Sequence, residues 1–288
     1  MGIIQQVQHE ALDAATQGFQ DALTELLGDS VTIAPQNASG DTANCTTIAN
    51  NFVSQGVDLI MANGTTALQA AATGTSTIPI LGTSITEYGV ALGIDGFTGT
   101  TGYNVSGTSD LAPLDQQAEM LHTWFPDAQT VGLLYCSAEP NSQYQVDTVQ
   151  GYLEDLGYTC TQYSFSDSND LSAVASSACT ASDVLYVPTD NTAANNAELI
   201  GNISLDTGTP IIAGEEGICK GCGVATLTIS YYDIGYKTGE MAYDILVNGA
   251  DPATMPIEYA PQFTPKYNPT MCEALGLTPP DGYEAIAE

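Results

Sequence analysis

Apolar and polar residues alternate along this chain in blocks of two kinds. Short apolar runs, such as Leu59-Ile60-Met61 and Val184-Leu185-Tyr186-Val187, each close on a small polar cluster and give way to a longer stretch with apolar residues at helical spacing. Runs of that length bounded by turn residues read as buried strands, and the 3.6-residue period after them reads as a helix packed on one face. In chain order the pattern predicts a strand at Ile3 to Val7 and a helix from Ala11 to Leu27, with Ala11, Ala15, Phe19 and Leu23 turned inward. A strand at Val31 to Ala34 and a helix from Thr42 to Gln55 follow. The glycine-rich stretch from Tyr88 to Tyr103 reads as irregular. Further on come a helix ending near Trp124, a strand at Val131 to Tyr135, a helix from Gln143 to Leu156, a strand at Ala225 to Ser230 and a helix from Tyr231 to Leu246. Pro256 to Thr264 reads as extended, and Thr270 to Leu277 as a last short helix. Strands that alternate with helices of this length build parallel sheets.

The pattern is stated twice. Val57 to Glu87 and Asp183 to Gly217 each run from an apolar strand through a polar cluster and an Ala-rich helix to a second apolar strand, a β-turn-α-β unit. The likeness extends upstream, where Gly18 to Ile33 resembles Gly151 to Tyr163. Corresponding positions are offset by roughly 130 residues, about one domain of chain. Two similar α/β lobes are therefore expected: one from residues 1–109 with about 235–258, the other from 110–234 with about 259–288. Chain passages between them are expected near Gly107 to Ala112, Tyr231 to Gly235 and Pro256 to Thr264.

Open α/β sheets bind ligands at the carboxyl ends of their strands, so the residues just after each apolar run are the candidates. In the first lobe these are Gln8 and His9, then Gly64, Thr65 and Thr66, then Thr83 and Ser84, then Thr108 and Ser109. They are neutral and offer hydroxyls and free amide N–H groups at helix starts, which suits a carboxylate. Simple helix capping by Thr65 or Thr66, and a helix-entry role for His9, are open readings beside that one. In the second lobe the matching places hold Asn141 and Ser142 beside Glu139, then Asp190 and Asn191, then Glu215 and Glu216. Tyr232 and Asp233 stand close to another strand end, although Tyr232 and Tyr236, four apart, also share a helix face.

Charge narrows the range of partners. The 288 residues include 3 Lys and Arg together against 34 Asp and Glu, a formal charge of −31, so the surface repels phosphate and nucleic acid is excluded as a partner. No run of apolar residues is long enough for a membrane helix. The seven cysteines include Cys219-Lys220-Gly221-Cys222, which lacks the second pair a zinc site needs and reads as a loop disulfide or two free thiols; Cys160 and Cys179 are a second candidate pair. Two histidines, neither near a GxSxG elbow, leave a serine hydrolase unsupported. Glu215 and Glu216, adjacent on an extended segment, would face opposite ways and make poor glycosidase acids. No catalytic residues, metal or cofactor are expected.

The opening GIIQQVQHEALDAATQGF, the central TGYNVSGTSD, and then VPTDNT, PIIAGEEG and SYYDIGYKTGEMA resemble the TrpX-like family of ABC transporter substrate-binding proteins, nearly end to end. That resemblance implies the type I periplasmic-binding-protein fold: two Rossmann-like lobes with parallel sheets flanked by helices, joined by three hinge crossovers that close on a ligand in the cleft. It also implies a monomeric extracytoplasmic protein, often lipid-anchored, that delivers an amino acid, commonly aromatic, to ABC permease subunits. The near absence of Lys and Arg departs from typical members, and no lipobox cysteine is present. Combined with the residues above, the resemblance assigns an α-amino acid's carboxylate to Thr65, Thr66, Ser84 and Thr108, and its ammonium to Asp190 and Glu216, with Glu215 as alternate. A sugar, a short peptide or a different amino acid is the alternative ligand, either for a transporter protein or for a regulator's effector-binding module.

Overall fold

The computed structural model describes residues 1–287 and divides into two compact α/β units, each with a mainly parallel sheet flanked by helices. Unit 1 takes Met1–Leu111 and Ser230–Pro261; unit 2 takes Ala112–Ile229 and the chain from Gln262 onward. The chain passes from unit 2 back to unit 1 at Ser230, about five residues earlier than the sequence pattern suggested. The reason is continuity: Tyr231–Leu246 is one unbroken helix packed on unit 1, so the boundary falls before its first turn.

Unit 1 begins β1 (Gly2–Gln5), α1 (Glu10–Leu27), β2 (Ala34–Asn37), α2 (Thr42–Gln55), β3 (Ile60–Asn63), α3 (Thr65–Gly74), β4 (Ile80–Ile85), α4 (Tyr88–Leu92) and β5 (Val105–Ser109). Unit 2 continues α5 (Leu114–Trp124), β6 (Thr130–Cys136), α6 (Pro140–Asp155), β7 (Thr159–Phe165), α7 (Leu171–Ala181), β8 (Val184–Val187), α8 (Asn191–Asn195), α9 (Ala197–Thr207), β9 (Ile211–Ala213), α10 (Glu216–Cys222) and β10 (Ala225–Thr228). Unit 1 then receives α11 (Tyr231–Leu246) and β11 (Glu258–Tyr259), and unit 2 closes with β12 (Thr264–Tyr267), α12 (Pro269–Leu275) and β13 (Glu284–Ala285). The strand order is β11-β5-β4-β3-β1-β2 in unit 1, parallel throughout, and β13-β12-β10-β9-β8-β6-β7 in unit 2, where only β10 and β12 pair antiparallel.

The strands read as continuous apolar runs because both faces of each sheet are covered. In unit 1, Ile3, Leu59, Met61 and Leu81 pack with Phe19 and Leu23 of α1 and Met241 of α11, while Ile4, Ile60, Ala62 and Ile80 pack with Phe52 of α2 and Leu68 of α3. Neighbouring residues of one strand thus serve opposite layers, as the two-residue period requires. Unit 2 repeats the scheme, with Leu133 and Tyr186 on one face and Leu134, Leu185 and Val187 on the other. Each fully buried Leu, Ile or Phe contributes roughly 1.5–3 kcal/mol.

Several elements depart from the expected boundaries. The strand expected at Val31 to Ala34 forms at Ala34–Asn37 instead, because a short turn over Gly28–Ser30 delays entry and Gly2 of β1 registers with Ala34. It is an edge strand, where Pro35 costs no ladder bond. Tyr88–Leu92 is a helix, capped by Glu87 on the Val90 amide. The second Ala-rich helix is broken at Asn196 into α8 and α9. The Cys219-Lys220-Gly221-Cys222 motif lies within α10 rather than in a loop, and all seven cysteines are free thiols, Cys160 and Cys179 included.

Candidate functional site

At the carboxyl edge of the unit 1 sheet, successive strand ends lie side by side. The Gln6 amide donates to Asn63 O at 3.0 Å, and the Gly64 amide to Thr83 O at 3.1 Å, which extends the parallel ladder one residue beyond β1 and β3. Gly64 adopts φ +101° and leads directly into α3, with Thr65 buried and Thr66 half-buried in its first turn. The Thr66 amide donates to Gln6 Oε1 at 2.9 Å, so the first-turn capping comes from another strand's side chain and not from Thr65 or Thr66.

Ser84 stands out in this edge. It holds φ +56°, a left-handed conformation that costs a residue with a Cβ about 1–2 kcal/mol, and its buried Oγ has no hydrogen-bond partner among the described residues. Backbone strain and an unpartnered buried hydroxyl thus coincide at this one residue of the edge. Its neighbours among the expected carboxylate-binding residues are committed elsewhere. Thr83 Oγ1 and Thr108 Oγ1 are 3.1 Å apart, Thr108 Oγ1 continues to Thr238 Oγ1 at 2.8 Å, and Thr238 donates to Ile234 O at 2.8 Å. This chain of hydroxyls ties β4 and β5 to α11, so Thr108 serves the interior of unit 1. Ser109 donates to Thr86 O and accepts from the Leu111 amide, a turn just before the chain leaves the unit.

Other candidates are engaged locally. Gln8 is exposed and reaches Asp13, while His9 is the residue before α1 and its carbonyl accepts the Asp13 amide. Tyr232 is 39 % exposed, donates to Asp21 of α1 and stacks near Tyr236. Asp233 is exposed in the first turn of α11, its amide capped by Ser230 Oγ. Helix α11 turns Tyr231, not Tyr232, inward.

That turn reveals a residue the sequence pattern passed over. Asp110, only 4 % exposed, accepts a hydrogen bond from Tyr231 Oη at 3.0 Å on Oδ2, and its Oδ1 has no partner among the described residues. Burial raises its pKa from 3.8 to about 6 against the opposing pull of the Tyr231 hydrogen bond. Asp110 and Tyr231 flank two of the three points where the chain leaves or enters unit 1.

The carboxyl edge of unit 2 is acidic, as the residue types suggested, but its carboxylates are occupied. Glu139 is buried and takes the Asn191 amide, Asn191 Nδ2, the Thr192 amide and Thr192 Oγ1 at 2.8–3.0 Å. Asp190, 1 % exposed, accepts from the Ala193 amide at 2.8 Å on one oxygen and from the Cys136 amide at 2.7 Å on the other. Burial first and the nearby Glu139 second hold its pKa above the usual carboxylate range, against the pull of those amides. Asp190 is therefore the N-cap of α8. Glu215 caps α10 by accepting from the Gly217 and Ile218 amides. The segment at Glu215 and Glu216 is a helix start and not an extended strand. Glu216 is partly exposed and pairs with Lys266 at 2.7 Å. Asn141, buried in the first turn of α6 with Ser142, donates to Thr189 O at 3.1 Å, and its Oδ1 has no partner among the described residues. Among the described residues no group of three His, Cys, Asp or Glu side chains could hold a metal ion.

Two α/β units with mainly parallel sheets, one neutral and one acidic at its carboxyl edge, are the architecture with which known proteins can be compared. The chain matches the model of the ABC transporter substrate binding protein family over residues 1–287, and it belongs to that family. It is 37 % identical over 249 residues to a tyrosine-binding protein of Clostridioides difficile, covering 85 % of this chain and 72 % of that protein. It is also similar to the crystal structure of an ABC domain in complex with L-Trp from Streptococcus pneumonia, at 29 % identity and TM-score 0.94, over 99 % of this chain and 98 % of that one. A ligand-free, open structure of a substrate binding protein with adhesive properties from Clostridium difficile matches at 36 % identity and TM-score 0.75, over 99 % and 98 % of the two chains. The leucine-binding protein of Thermotoga maritima, 16 % identical with a TM-score of 0.67, shares the fold.

Proposed function

We propose that this ABC substrate-binding protein takes an aromatic L-amino acid as its ligand and holds the α-carboxylate at the carboxyl edge of unit 1. The observation that carries this reading is Ser84: a strained residue with an unsatisfied buried hydroxyl, beside the amino end of a ten-residue helix. Hydroxyl and amide donors at a helix start hold a carboxylate without a cation, which suits a chain with three Lys and Arg residues in all. A zwitterion also suits a chain of formal charge −31, which would repel a net anion. The aromatic class is supported by the tyrosine-binding relative and the L-Trp complex.

Within unit 2, the buried carboxylates of Asp190 and Glu215 are acceptors of the kind an ammonium group needs. Glu216 is the weaker candidate, because Lys266 already neutralises it. The proposal includes release of the ligand chemically unchanged, delivery to an ABC permease, and an extracytoplasmic, monomeric and lipid-anchored protein. A thermal-shift screen of the twenty amino acids and common sugars tests it: a ligand present at a hundred times its Kd adds about 2.7 kcal/mol of stability. Shifts confined to L-tyrosine, L-tryptophan or L-phenylalanine are expected, and a shift with a sugar alone would overturn the reading.

A further inference from the structure

Gln6 follows β1 and is fixed from both sides: its amide donates to Asn63 O at 3.0 Å and its carbonyl accepts the Gly40 amide at 2.9 Å. Its side chain is folded in, 6 % exposed, with Oε1 on the Thr66 amide at 2.9 Å. A backbone N–H is satisfied only by an acceptor, so this bond fixes which way the carboxamide faces: oxygen toward α3, nitrogen away from it. Nε2 carries two N–H groups, and the bond to the Thr66 amide uses neither. The arrangement depends on Gly64, where a Cβ would lie 2.7 Å from Gln6 Oε1 and 2.9 Å from Gln6 Cβ. The chain thus gives up a side chain at position 64 and accepts φ +101° there to seat the Gln6 carboxamide against the start of α3.

An independent observation lies two strands away. β1, β3 and β4 are adjacent, and Gln6, Gly64 and Ser84 each stand just past or at the end of one of them. Ser84 Oγ, buried and unpartnered, is thus a second donor at the same edge. We infer that Gln6 is a ligand-binding residue whose Nε2 donates to the ligand's α-carboxylate together with Ser84 Oγ. Gln6 then has two roles on its two ends, capping α3 with the oxygen and recognising the carboxylate with the nitrogen. The chemical class selected is a carboxylate, in a chain without an arginine to bind one. This inference rests on the proposed aromatic amino-acid ligand.

The variant Gln6→Glu separates the two roles. It keeps an oxygen for the Thr66 amide, at a helix start that favours negative charge, and replaces the donor with an anion. Calorimetric titration at pH 8 compares whichever of L-tyrosine, L-tryptophan and L-phenylalanine the unaltered protein binds with the matching amine that lacks the carboxylate: tyramine, tryptamine or phenethylamine. The amino acid is expected to bind the variant at least tenfold more weakly, with the amine's affinity unchanged and the melting temperature of the free protein not lowered. A loss below tenfold, or an equal loss for the amine, would overturn the inference and leave Gln6 a helix cap. Should Gln6→Glu fold poorly, Gln6→Met, which removes both ends, is titrated in the same way with the same ratio as readout. Failure of the unaltered protein to bind any of the three amino acids would instead overturn the proposed function itself.

Discussion

Asp110 is a group whose folded environment disagrees with water. Its pKa rises from 3.8 to about 6, burial being the largest cause, and a proton is therefore held more tightly in the folded than in the unfolded chain. The stability this contributes is fully present below about pH 4 and is lost as pH rises through about 6. From the two values the loss is at most roughly 3 kcal/mol. The stability of Asp110→Asn minus that of the unaltered protein is expected to grow by about 1–3 kcal/mol between pH 4 and pH 7 in urea denaturation; a difference that stays flat would show that Asp110 is solvated or unfolds early. Asp190 is a second residue with a testable structural role. Asp190→Asn puts an NH₂ against one of two amides now accepted by carboxylate oxygens, and a loss of about 1–3 kcal/mol is expected in the same measurement. At this scale the sequence is legible only in part. Polar strand ends can be picked out by position, but whether a hydroxyl is spare depends on contacts far along the chain. Thr108 is used up by Thr238, 130 residues away, and Ser84 is not. Gln6 escapes notice in the sequence because its neighbours Gln8 and His9 look richer in chemistry. Asp110 escapes it because nothing local shows that Tyr231 is the partner.

Helices and strands are far more legible than side-chain partners, since their signal is periodic and local. The helix over Thr42–Gln55 begins at Asp41, whose carboxylate caps the Ala43 and Asn44 amides, and stops at Gly56 in the left-handed conformation, both visible as residue types. β2 falls later than its pattern because Val31-Thr32-Ile33 carries the stronger strand propensity while the register with β1 selects the next four residues. Packing between elements yields a direct test. α1 and α11 approach so closely that a Cβ on Gly235 would lie 2.0 Å from Ala15 O, and one on Gly18 would lie 2.1 Å from Tyr232 O. Gly151, in α6, has nothing within 4 Å of the same point. Gly235→Ala is expected to cost about 1–3 kcal/mol or more by forcing the helices apart. Gly151→Ala is expected to add about 0.5–1 kcal/mol through helix propensity alone. Opposite signs for one chemical change, read as shifts in the urea midpoint, test the helix pair; equal signs would contradict it.

The whole molecule carries a formal charge of −31 with three Lys and Arg residues, so each unit folds against its own repulsion. The two-unit architecture is readable from sequence because the pattern is duplicated, and a repeat of domain length gives each element a counterpart one domain further along. Charge, by contrast, says little about fold and much about conditions. Screening shortens from about 30 Å at 10 mM salt to about 3 Å at 1 M, so the melting temperature is expected to rise by several degrees over that range in potassium chloride. No rise would mean that the acidic groups are too far apart or too well solvated to matter. The central claim, however, concerns what the folded chain binds. Calorimetric titration of the purified protein with L-tyrosine, L-tryptophan and L-phenylalanine, each beside its D-enantiomer, tests it most directly: saturable one-to-one binding of at least one L-form, and of the D-form at least about tenfold more weakly, is expected. Absence of heat with all three, or equal affinity for both enantiomers, would contradict an aromatic amino-acid site that recognises the α-carboxylate.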